Sequence, residues 1–103
     1  MSPHIEPDQK RIAEFCRKWK VKELAIFGSA LRDDFGPHSD VDVLVTFEPD
    51  APWSLLEWGE MMDELKAIFH REVHLIEEAG LRNPFRRHAI LSTKEVIYAA
   101  RRA

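Results

Sequence analysis

Two short apolar runs with chemically unusual ends constrain this chain most. Leu24-Ala25-Ile26-Phe27 leads straight into Gly28-Ser29, and Asp40-Val41-Asp42 opens a second run that ends at Phe47. The first run is wholly apolar and closed by glycine, consistent with a buried strand. In the second, Val41, Val43, Val45 and Phe47 alternate with Asp42, Leu44 and Thr46, the period-two signature of a strand with a strong apolar face. Strands of this kind need cover, and the flanking sequence offers helices.

Ile12, Phe15, Cys16 and Trp19 recur at helical spacing, so the sequence predicts an amphipathic helix over about residues 8–19. Residues 29–34 have room for a short helix, ended by Phe35-Gly36-Pro37. Glu48-Pro49-Asp50-Ala51-Pro52 reads as a turn. Ser54 and Glu57 fit a capping box, and Leu55, Trp58, Met62, Leu65 and Phe69 continue it as a helix of about four turns. Trp53 and Trp58 at its start are expected to be core or half-buried anchors, with interface hot spots as the sharper option. Glu72 to Glu77 predicts a third strand, with Val73 and Leu75 on one face and His74 and Ile76 on the other. Asn83-Pro84 is a helix start, Asn as cap and Pro in the first turn. Residues 95–99 are ambiguous, since Ser92 and Glu95 favour helix while Val96-Ile97-Tyr98 favours an edge strand; the strand is preferred. The order is α-β-α-β-α-β-α-β, an α/β fold on a small mixed sheet of three to four strands with flanking helices.

At 103 residues the expectation is a single domain, 1–103. No run approaches the roughly 18 apolar residues of a membrane span, and Met1-Ser2-Pro3-His4 has no signal-peptide pattern. The lone cysteine, Cys16, cannot pair internally and suits a reducing cytoplasm. A net charge of −3 argues against direct nucleic-acid binding. Basic residues nevertheless concentrate late, at Arg82, Arg86, Arg87, Arg101 and Arg102, which suits either an anionic small molecule or partner surface, or simply a solvated tail.

The chemistry lies at the strand ends. A nucleoside triphosphate brings several negative charges, which backbone N–H groups at a helix N-terminus can hold. Gly28 permits close backbone approach and Ser29 adds a hydroxyl donor, although many α/β proteins use such a turn only to redirect the chain. Asp40 and Asp42 are two residues apart on a strand, so they share a face with Cα atoms about 6.5–7 Å apart. Paired ions about 3.5–4 Å apart can activate an attacking oxygen and stabilise a leaving one. Mg²⁺ is commonly held by one or two carboxylates plus phosphate oxygens. Both aspartates could instead be solvated on an exposed strand face. Against this, Asp is disfavoured in strands, and its neighbours here are strong β-formers.

Phe27-Gly28-Ser29-Ala30-Leu31-Arg32, followed by Ser39-Asp40-Val41-Asp42-Val43-Leu44-Val45, resembles the Gly-Ser…Asp-x-Asp signature of the DNA polymerase β-like nucleotidyltransferase superfamily. The length, the helix after the second strand, and Asn83-Pro84 leading into a basic helix look like its stand-alone minimal members. Those are often antitoxins whose partner is an all-helical HEPN ribonuclease toxin. The resemblance runs from about residue 8 to residue 99. It implies a palm-like fold in which Gly28 and Ser29, aided by Arg32, hold ATP, while Asp40 and Asp42 hold Mg²⁺ or Mn²⁺. The implied reaction moves AMP to a hydroxyl with release of pyrophosphate, the acceptor in the antitoxins being a toxin tyrosine.

One position departs from the pattern. The family has a third aspartate in the strand after the long helix, where this chain has His74. An imidazole supplies no negative charge, and Mg²⁺ prefers oxygen. His74 could act as a general base, favour an ion more tolerant of nitrogen, or mark a protein that neutralises its partner by docking alone.

Overall fold

The computed structural model describes residues 8–28 and 40–100. Helix α1 (Gln9–Lys18) begins at Asp8, whose carboxylate accepts from the backbone N–H groups of Lys10 and Arg11. Strands β1 (Val21–Phe27) and β2 (Val41–Phe47) follow. Helix α2 (Leu55–Phe69) leads to β3 (Val73–Glu77), and a 3-10 turn (Glu78–Gly80) precedes α3 (Pro84–Thr93) and β4 (Glu95–Ala99). The sheet order is β3-β2-β1-β4. β1 runs antiparallel to both β2 and β4, and β2 parallel to β3, with α2 as the crossover, so the sheet is mixed as expected. The short helix expected over 29–34 lies outside the described residues.

Strand alternation separates the two faces. Leu24, Ile26, Val41, Val43, Val45, Val73 and Leu75 point toward α1 and α2, where they meet Ile12, Phe15, Met61, Leu65 and others in the main core. Leu65 is fully buried, worth on the order of 2 kcal/mol relative to an exposed leucine. Ala25, Phe27 and Leu44 point the other way and pack with Leu81 and with Ile90 of α3. The sheet is therefore covered on both sides, which explains why β1 is apolar without alternation from Leu24 onward.

Local chemistry fixes the helix ends. The Glu57 carboxylate accepts hydrogen bonds from the Ser54 hydroxyl and from the Ser54 backbone N–H, the latter at 3.1 Å. These bonds favour the ionised form and hold the Glu57 carboxyl below its ordinary range. α2 ends at His70, which adopts the left-handed conformation. Asn83 caps α3 by accepting from Phe85 N–H at 2.9 Å and Arg86 N–H at 3.1 Å, with Pro84 in the first turn. Trp53 donates its indole N–H to the Trp19 carbonyl at 2.7 Å and meets the Trp19 ring edge-on, so it anchors the turn before α2. Trp58 packs edge-on against Phe47. No described helix is long and apolar enough to cross a membrane.

Candidate functional site at the β1 exit

The antiparallel pairing of β1 with β2 sets the exit of one strand beside the entry of the other. Phe27 pairs with Asp42, so Gly28 follows next to the Asp42 carboxylate. The fit is close: a Cβ on Gly28 would overlap Oδ2 of Asp42 and sit 3.3 Å from its Cγ. Gly28 also has φ of +69°, in the left-handed region where a side chain is disfavoured. Glycine is needed here twice over, for backbone conformation and for space.

The parallel ladder brings the third strand in. Asp42 is the partner of His74, while their neighbours Val41 and Val73 pair on the opposite, buried face. His74 spans the two aspartates. Its Nε2 lies 3.0 Å from Oδ2 of Asp40, and its Nδ1 lies 3.5 Å from Oδ1 of Asp42. The side chains of His74, Asp40 and Asp42 keep 62%, 44% and 25% of their exposure, so the cluster is partly exposed; Asp42 and His74 are held in the sheet, and Asp40 directly precedes β2.

Asp40, Asp42, His74 and Gly28 thus come together as the sequence suggests, whereas Ser29 and Arg32 lie outside the described residues. Among the described residues, no three acidic, histidine or cysteine side chains are arranged to enclose one metal ion. Asp40 and Asp42 meet different nitrogens of the His74 ring, so their oxygens border the imidazole from two directions. Partly exposed carboxylate oxygens beside the β1 exit still fit a hard divalent cation, which commonly takes only one or two protein carboxylates.

The late arginines divide. Arg87 is not a free cation: its guanidinium donates to the Glu78 carbonyl and to Glu78 Oε1, each at 3.2 Å. Glu78 Oε2 in turn accepts from the Thr46 hydroxyl at 2.6 Å. This network ties α3 to β2 through the 3-10 turn, and nothing in residue spacing signals it. Arg82 and Arg86 are exposed, and Arg86 borders a shallow groove with Leu55, Trp58, Leu75, Ile76 and Leu81.

Comparison with known proteins places the chain in a family. The family model described as "Nucleotidyltransferase domain" matches residues 9–97. A candidate protein adenylyltransferase of Methanocaldococcus jannaschii is 33% identical over 81 residues, covering 79% of each chain. The protein adenylyltransferase MntA of Thermococcus cleftensis is 33% identical over 85 residues, covering 82% of this chain and 81% of its own. Among solved structures, a candidate minimal nucleotidyltransferase superposes with a TM-score of 0.68 at 25% identity, covering 84% of this chain and 86% of its own. A toxin–antitoxin crystal structure with AMP-PNP has a TM-score of 0.69 at 17% identity, covering 90% of this chain and 74% of its own. A complex of the triply AMPylated HEPN toxin of Shewanella oneidensis with its MNT antitoxin gives 0.61 at 17%, covering 89% and 70%. These last two carry the fold alone. With the family match spanning most of the sequence, and with relatives a third identical over most of their length, the chain belongs to the nucleotidyltransferase domain family of enzymes.

Proposed function

We propose that this protein transfers AMP from ATP to a hydroxyl group of a partner protein, a HEPN-type toxin, and so acts as its antitoxin. The observation that carries the reading is the Asp40–Asp42 pair set against the side-chain-free exit of β1 at Gly28. The names of the relatives, protein adenylyltransferase, support the reaction. The AMPylated HEPN toxin bound to an antitoxin of the same fold supports the partner.

Each residue has a task in that reaction. Gly28, with Ser29 and Arg32, receives the triphosphate where backbone amides can approach it. Asp40 and Asp42 would hold Mg²⁺ or Mn²⁺, which when bound offsets charge on the phosphates. The acceptor oxygen bonds to the α-phosphorus as the bond to pyrophosphate breaks, and the hydroxyl proton passes to one of the bases at this strand end. Asp40, Asp42 and His74 are the Brønsted bases that this strand end presents among the described residues. The sheet holds Asp42 and His74 on paired backbone, with Asp40 directly before β2, so their contribution is positioning and electrostatics.

A second reading has one observation in its favour. His74 stands where the resemblance expects a carboxylate, which suits a protein that keeps the fold but silences its partner by docking. Labelled ATP, a divalent cation and the protein encoded beside this one separate the two. Label on the neighbour that disappears with Asp42→Asn supports transfer. Inhibition that survives Asp42→Asn, with no label found, supports docking.

A further inference from the structure

We infer that His74 is a metal ligand shared with Asp40, and that it biases the site toward first-row transition ions over Mg²⁺. The inference rests on the nucleotidyltransferase reading above and adds the class of ion.

The placement is fixed by backbone. Because Asp42 and His74 are ladder partners on parallel strands, the imidazole rises from the same face as Asp42, and Asp40, one residue before β2, meets it there. Its Nε2 lies 3.0 Å from Asp40 Oδ2. Two ligands at right angles around an ion with bonds of about 2.1 Å are themselves separated by about 3.0 Å. The separation of the pair is therefore one that two neighbouring ligands of a single ion can have.

The second nitrogen sharpens the argument. Nδ1 faces Asp42 Oδ1 at 3.5 Å, so each ring nitrogen looks at a carboxylate. Either ring nitrogen can ligate a metal, and which one does so is set by the contact that the other makes. With the imidazole and Asp40 both well exposed, water and phosphate oxygens can complete the coordination shell.

Ligand type then decides the ion. Mg²⁺ binds oxygen and gains little from imidazole, whereas affinity for nitrogen rises along the series from Mn²⁺ through Co²⁺. Replacing a carboxylate by a neutral nitrogen also removes a negative charge, which costs the harder ion more.

The test uses the full nucleotide-free chain, titrated calorimetrically with the chlorides of Mg²⁺, Mn²⁺ and Co²⁺, together with electron spin echo spectra of the Mn²⁺-loaded protein. Wild type is expected to bind Co²⁺ most tightly and Mg²⁺ least, with nitrogen modulation in the spin echo. His74→Ala should weaken Co²⁺ about tenfold or more, leave Mg²⁺ within about threefold, and abolish the modulation. His74→Asp should tighten Mg²⁺ and lose the modulation. Unchanged ion preference in His74→Ala overturns the ligand role. So does nitrogen modulation that persists in it, because the nitrogen then comes from another side chain. If Asp40→Asn and Asp42→Asn both bind Mn²⁺ as wild type does, the failure lies deeper, in the metal site itself.

Discussion

Replacing Gly28 by alanine tests whether the β1 exit and Asp42 form one unit. The added Cβ meets two obstacles of different kinds. An L-residue at φ +69° costs about 1–2 kcal/mol in backbone strain. The methyl also overlaps Asp42 Oδ2, so the carboxylate must retreat by on the order of 1 Å to reach ordinary contact. The carboxylate is a side-chain terminus and can swing, so the protein should fold, with a melting temperature lowered by roughly 5–15 °C. Function should suffer more than stability. A displacement near 1 Å of a metal-binding or catalytic oxygen can cost about 100-fold in rate. Differential scanning calorimetry, Mn²⁺ titration and AMP transfer to the partner give the three readouts. Gly59→Ala is the control: it lies in α2 with open space around it, and should raise stability by up to about 1 kcal/mol without touching transfer. A Gly28→Ala protein with wild-type melting, ion affinity and transfer would show that Asp42 does not lean on this glycine, and the site geometry would be wrong.

Burial pushes the Cys16 thiol up to about 12 from an ordinary 9.0. The folded thiol keeps its proton where the unfolded one has lost it, so stability should fall as pH climbs from 9 toward 12, an effect absent in Cys16→Ala when urea midpoints are compared. The Glu57 carboxyl has the opposite sign. Its folded value is depressed, so its contribution is present above the unfolded value of 4.5 and is lost as pH falls through the folded one. In Glu57→Gln, urea midpoints should decline less between pH 5 and acid than in wild type. Asn83→Ala removes the acceptor for two N–H groups at the start of α3, and should cost about 1 kcal/mol in urea unfolding.

Much of the sheet was legible in the residues. β2 announced itself because one face is core and the other carries Asp42 and Thr46, and the Asn83-Pro84 start of α3 matched its cap. β1 begins three residues earlier than its apolar run suggests. Lys22 and Glu23 are charged and break the apolar run, yet Glu23 pairs with Lys94 at the root of β4 and is held in the sheet. The ambiguity at residues 95–99 resolved as strand because β1 offered an open edge, a tertiary reason that local capping signals cannot contain. The juxtaposition of Asp42 with His74 followed only in part from sequence. Alternation gave each residue its face, whereas the ladder that makes them neighbours depends on a parallel crossover. The Thr46–Glu78–Arg87 network left no pattern to read, since it joins three elements through single side chains.

The shared register of β2 and β3 also limits how such a protein can diversify. Val41, Val43 and Val73 are sealed into the main core while Asp42 and His74 stand between and beside them on the opposite face. Inserting or deleting a single codon in either strand would turn the chain over, sending an acidic group into hydrocarbon and a valine into solvent. Lineages built on this scaffold can exchange one reactive group for another at position 74, but cannot slide it. Chemical novelty here must arrive by substitution, with length changes confined to the connections.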